Sequence, residues 1–195
     1  MGLGKRDFMK EMKEALSQIM SILEKEKVSC HIGGSLLLLA NGIQTEVHDI
    51  DLLFKGEDFL KVFDLFSSYL IETIPPKGDY LTKELMKIRY LGVDFDLIFD
   101  FSFISNGKIY TYPFEDLRSY IQMDWEGSKY RFSRLEEWFL IYRLLPNREP
   151  KVKMIRDHFH KTKGFDSTYL SGLLQRNLPE FVRNEIELLL KDCAK

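Results

Sequence analysis

The chain has 195 residues, of which 45% are hydrophobic and 30% charged, and its formal net charge is −2 at pH 7. That balance excludes a disordered or fibrous chain and argues against a binder of double-stranded nucleic acid, for which a strong basic excess is expected. Cys30 and Cys193 are too few and too far apart for a disulfide framework or a four-ligand zinc site, so a reduced, cytoplasmic setting is expected.

Phe8, Met12, Leu16, Ile19, Met20 and Leu23 recur at steps of three and four, which predicts an amphipathic helix from about Lys5 to Lys25. Val28 to Ile32 reads as a short strand stopped by Gly33-Gly34. A short helix over Ser35 to Ala40 follows, with Ser35 as its expected N-cap. Ile50 to Phe54 reads as a second buried strand, and Phe59, Val62, Phe63 and Phe66 mark a helix within Glu57 to Tyr69. Met86–Leu91 and Val93–Phe101 predict a hairpin about Gly92, and Asn106-Gly107 another turn. From Phe114 onward the pattern reads as mostly helical, with a last strand somewhere in Trp125–Phe132. Helices are expected at Arg134–Leu145, Lys151–Lys161, Ser167–Gln175 and Pro179–Lys191. The N-terminus lacks the apolar core of a signal peptide. Apolar runs such as Leu36–Ala40 are far too short to cross a bilayer, so no membrane partner is expected. The expected organisation is an α/β domain over 1–130 and a helical segment over 131–195 packed on it. Charge divides with it: residues 1–130 hold 15 Lys+Arg and 21 Asp+Glu, residues 131–195 hold 13 and 9.

One constellation carries chemistry: Gly33-Gly34-Ser35, thirteen residues, then Asp49-Ile50-Asp51. Two glycines after a strand allow positive φ and close approach of a ligand to the backbone. A helix opening at Ser35 would present free N–H groups to an anion such as phosphate. Asp49 and Asp51 flank Ile50, so strand alternation puts both carboxylates on one face. Adjacent carboxylates repel unless a cation sits between them, and Mg²⁺ bridging to substrate phosphates is the common solution. A second acidic pair, Asp94 and Asp96, shares one face of a later strand and could complete a metal site or accept a proton from an incoming hydroxyl. Read singly, each piece has a plainer role: a strand-to-helix turn, a polar strand edge, a solvated His48, a packed His31.

Gly34-Ser35, the spacer and Asp49-Ile50-Asp51, with the later Gly92-Val93-Asp94-Phe95-Asp96, resemble the signature of the polymerase-β-like nucleotidyltransferase superfamily. The small bacterial antibiotic and abortive-infection-toxin types are the most similar. The resemblance implies an α/β (α+β) nucleotidyltransferase fold with a short mixed sheet, followed by a helical C-terminal segment. It implies Mg²⁺, one ion or two, with a nucleoside triphosphate as co-substrate. Asp49, Asp51 and Asp96 would hold metal and carry catalysis, Asp96 being preferred to Asp94 as the third acid. Gly33, Gly34 and Ser35 would hold the triphosphate. Relatives also place basic residues in the helical half against the phosphates. Arg143, Arg148, Lys151 and Lys153 lie there, and Arg143, Lys151 and Lys153 are the nucleotide-binding candidates. The acceptor hydroxyl, on a small molecule, a protein or an RNA end, stays open, as does the oligomeric state. The alternative is a non-catalytic, antitoxin-like module of the same fold that binds nucleotide without turnover.

Overall fold

In a computed structural model of the chain, residues 3–193 are described, with side chains from 8 to 192, so the side chain of Cys193 lies outside them. The first helix, α1, runs over Leu3–Lys25, and its Met12, Leu16, Ile19 and Leu23 are buried as their spacing predicts. The strand expected at Val28–Ile32 is reduced to β1, His31–Ile32, followed at once by α2, Gly34–Ala40. This helix starts one residue earlier than expected. Gly33 takes the cap position, without a side-chain cap bond, and Ser35 lies in the first turn rather than at the N-cap.

Next come β2 (Asp49–Phe54), α3 (Phe59–Phe66, between two short 3₁₀ turns), β3 (Leu70–Ile74), β4 (Glu84–Tyr90) and β5 (Val93–Phe99). The β4–β5 turn is a two-residue loop, Leu91-Gly92, with φ of 49° and 80°. Paired positive φ values match the twist of the flanking strands. A small hairpin, β6 (Ser102–Ser105) and β7 (Lys108–Thr111), turns at Asn106-Gly107 in the same way. A second hairpin joins β8 (Tyr120–Trp125), in sequence expected to be helical, to β9 (Ser128–Ser133), which falls where a last strand is expected and carries the sheet past residue 130. Four helices complete the chain: α4 (Leu135–Leu144), α5 (Glu149–Thr162), α6 (Ser167–Leu173) and α7 (Glu180–Cys193).

The seven-stranded sheet has the order β3-β4-β5-β2-β1-β9-β8 and is mixed: β2–β5 and β1–β9 are parallel, the other pairs antiparallel. Alternation sorts its faces. Ile50, Leu52, Met86, Ile88, Phe95 and Leu97 are buried on one face. That face meets α1, where the Tyr90 hydroxyl donates to Gln18 at 2.9 Å, and α3, where Phe59 packs edge-on against Phe99. The other face carries Asp49 and Asp51 of β2, Asp94 and Asp96 of β5, and Lys87 and Arg89 of β4.

The helical half is tied to the β6–β7 hairpin by Glu137 of α4, which is fully buried. Its carboxylate accepts hydrogen bonds from the hydroxyls of Tyr110 and Tyr169 and a bidentate pair from Arg176 at 2.6 and 3.0 Å. Burial and the neighbouring Glu137 carboxylate hold both tyrosine hydroxyls well above their ordinary pKa, so they stay protonated donors.

Candidate active site

The parallel pairing of β2 with β5 sets Asp49 beside Asp94 and Asp51 beside Asp96. The antiparallel pairing of β5 with β4 then sets Arg89 beside Asp94 and Lys87 beside Asp96. Six charged side chains therefore occupy consecutive positions across one sheet face. Asp94 is held by Arg89 through two hydrogen bonds of 2.6 and 2.9 Å, which keep its carboxyl below the usual range. Asp96 accepts two from the Lys87 ammonium at 2.8 and 2.9 Å. Burial nevertheless pushes the Asp96 carboxyl upward, outweighing Lys87, while the Asp96 hydrogen bonds raise Lys87 against its own burial.

The β2 carboxylates differ. Among the described residues no side-chain hydrogen bond or ion pair joins Asp49 or Asp51 to a neighbour. Burial pushes the Asp51 carboxyl up to about 7, with the charges of Asp49 and Asp96 adding to it and those of Arg148 and Lys87 opposing. This is a carboxylate short of positive charge.

Gly33 and Gly34 close the other side. The Gly33 N–H donates to the Asp51 carbonyl at 3.0 Å, and Gly34 has φ +60°. A Cβ at position 34 would lie 1.7 Å from Asp51 Oδ2, and one at position 33 would lie 2.1 Å from the Trp138 ring. The glycines thus let α2 begin against the carboxylate on one side and the indole on the other. The buried Trp138 Nε1 has no hydrogen-bond partner among the described residues.

The helical half delivers two cations. Lys151 of α5 donates to Ser35 Oγ at 3.1 Å and Thr45 Oγ1 at 2.6 Å, and its ammonium is lowered by burial and by Arg148, against the pull of Asp49 and Asp51. Arg148 lies over the Tyr142 ring, 5.9 Å from its centroid. Burial raises the Tyr142 hydroxyl, with the charges of Asp51 and Asp49 adding to it and that of Arg148 opposing.

Two expected contacts fall elsewhere. Arg143 pairs with Glu185 and stacks on Phe181 of α7, because it sits one position round the helix from Tyr142. Lys153 pairs with Asp157 one turn on, at 2.5 Å, and is largely exposed. Neither is brought to the carboxylates. His48 is exposed near Glu46, and His31 is buried among Tyr112, Phe114 and Tyr120. Asp100 serves structure, accepting from the Gly56 N–H at 2.6 Å. Lys87, held on Asp96, is a site residue that the sequence reading left out, and Tyr142, under Arg148, is another neighbour it did not name.

Residues 15–91 match the family model of the aminoglycoside-2″-adenylyltransferases, a span that holds the glycines, Asp49, Asp51 and Lys87. None of the curated proteins matches the chain. Among solved structures, one from Thermotoga maritima assigned as a nucleotidyltransferase is 21% identical with a TM-score of 0.61, covering 77% of this chain and 94% of its own. ANT(2″)-Ia in complex with adenylyl-2″-tobramycin is 13% identical with a TM-score of 0.51, covering 92% and 94%. The lincosamide antibiotic adenylyltransferase LnuA, with lincomycin bound, is 18% identical with a TM-score of 0.50, covering 73% and 95%. The fold is that of these proteins, as the sequence motifs imply.

Proposed function

We propose that the chain is a nucleotidyltransferase of the polymerase-β-like superfamily, which moves a nucleoside monophosphate from a nucleoside triphosphate to an acceptor hydroxyl in an Mg²⁺-dependent reaction, a reading supported by the family model matched over residues 15–91 and by the shared fold. The observation that carries this reading is the unpaired Asp49/Asp51 couple set against the Gly34-Ser35 turn and faced by Lys151. The donor set suits Mg²⁺: hard carboxylate oxygens from two residues, with places left for phosphate oxygens and water. When bound, that ion neutralises charge developing on the phosphates.

The chain's own groups supply the rest. Gly34 lets the triphosphate approach the backbone, and Lys151 and Arg148 hold its oxygens. The acceptor oxygen forms its bond to the α-phosphorus as the bond to the bridging oxygen breaks, and pyrophosphate leaves. The hydroxyl proton passes to the Asp96 carboxylate, which Lys87 holds in place. The acceptor is a small hydroxylated molecule on this reading, supported by the tobramycin adduct and the lincomycin in two structures of similar fold. A protein or RNA hydroxyl is the other class.

The test is calorimetry of nucleotide binding to Asp49→Ala/Asp51→Ala with and without Mg²⁺. The wild type binds nucleotide with Mg²⁺ and the double variant loses that dependence. Unchanged Mg²⁺-dependent binding would overturn the metal assignment. Incubation with α-labelled nucleotide and a lysate separates enzyme from binding module: label transfer to an acceptor supports the enzyme, and tight binding without transfer supports the module.

A further inference from the structure

The four carboxylates of the site face are not equivalent. Those of β5 each meet a cation fixed opposite them by strand register, Lys87 for Asp96 and Arg89 for Asp94, whereas those of β2 meet none. The Lys87–Asp96 pair is also the more enclosed, with 32% and 15% of the side chains exposed, against 61% and 40% for Arg89 and Asp94. Its ammonium contacts both carboxylate oxygens, so neither is left facing a second cation unopposed. Glu72 lies opposite Lys87 in the register of the next strand, so a second acidic residue flanks this position. Among the described residues no three His, Cys, Asp or Glu side chains come together as a group that could hold a metal ion.

We infer that Lys87 is a positioning residue that takes the place of a second divalent ion. The chain binds one ion, between Asp49 and Asp51, and Asp96 is kept as a proton acceptor rather than a metal ligand. This rests on the function proposed above. A dication between Asp51 and Asp96 would have to displace an ammonium already making two charge-assisted hydrogen bonds, or sit beside it with like charge. Arginine at position 87 would preserve the charge; methionine would keep the length and remove it.

Counting bound Mn²⁺ on the full chain, by electron paramagnetic resonance and calorimetry with saturating α,β-methylene-ATP, tests this without turnover. The expected result is one Mn²⁺ per chain for the wild type and Lys87→Arg, and two for Lys87→Met. Asp96→Asn should leave the wild-type count at one. Two ions on the wild type, or one on a folded Lys87→Met, would overturn the inference and leave the proposed function standing. No Mn²⁺ on the wild type would overturn the proposed function and this inference with it. Should Lys87→Met fail to fold, the wild-type and Asp96→Asn counts still decide.

Discussion

A methyl group at position 34 would sit 1.7 Å from Asp51 Oδ2, on backbone whose φ is +60°. Space and backbone conformation thus both require glycine there. Gly34→Ala is expected to abolish Mg²⁺-dependent nucleotide binding in calorimetry, even if the purified variant retains its circular dichroism spectrum. His31 gives a prediction of another kind. Burial, reinforced by Arg131, pushes its ring down from 6.5 to about 3. Above pH 6.5 the ring is neutral whether the chain is folded or not, and its contribution to stability is complete. As pH falls from 6.5 toward 3 the unfolded chain takes up the proton first, and the folded state loses ground. Melting temperature should therefore fall more steeply with acid in the wild type than in His31→Phe, which keeps the stack on Phe114. Parallel curves across that window would exclude the assignment. Lys151 tests the phosphate side: Lys151→Ala should weaken nucleotide binding by roughly tenfold or more, the order expected for one charge-assisted hydrogen bond, with little change in melting temperature.

At the scale of elements, Glu137 of α4 joins a hairpin to α6 and to the segment that follows it, and its removal strands a guanidinium and two hydroxyls. Glu137→Gln should cost about 3 kcal/mol, or about 6–12 °C in melting temperature for a chain of this size, measured by calorimetry. How far such elements are legible in sequence depends on where their signal lies. α1 is plain because Met12, Leu16, Ile19 and Leu23 repeat on one face, and the β4–β5 hairpin because a glycine turn separates two alternating runs. β8 is hidden because Tyr120–Trp125 alternates weakly at a sheet edge, although Glu126-Gly127, with φ of 52° and 83°, marks its turn. β3 is hidden for the same reason, being mostly exposed at the opposite edge. Asp49 and Asp51 can be read directly, but their proximity to Asp94 and Asp96 depends on a parallel pairing that no local pattern encodes. Lys87 is a different case. Counting outward from a two-residue turn at Leu91-Gly92 fixes Arg89 opposite Asp94 and Lys87 opposite Asp96, so the hairpin's own sequence contains the contact.

For the molecule as a whole, the acidic front and basic back do not face each other as two charged plates. Much of the back half's positive charge is matched locally: Arg143 and Arg156 by Glu185, Lys153 by Asp157, Arg134 by Asp166, Arg176 by Glu137. Of these basic residues, Lys151 and Arg148 are the ones placed to feel Asp51 and Asp49, Arg148 at the N-cap of α5 and Lys151 in its first turn. The same helical half lays Trp138 against Gly33. With two tryptophans in the chain, Trp125→Phe would leave a single indole touching the proposed phosphate cradle. The protein thereby carries its own optical gauge: its ultraviolet emission should shift in wavelength or intensity as Mg²⁺ and nucleotide are added, and binding could be followed in real time without any label. An unchanged spectrum at saturating Mg²⁺ and nucleotide would place the cradle away from Gly33.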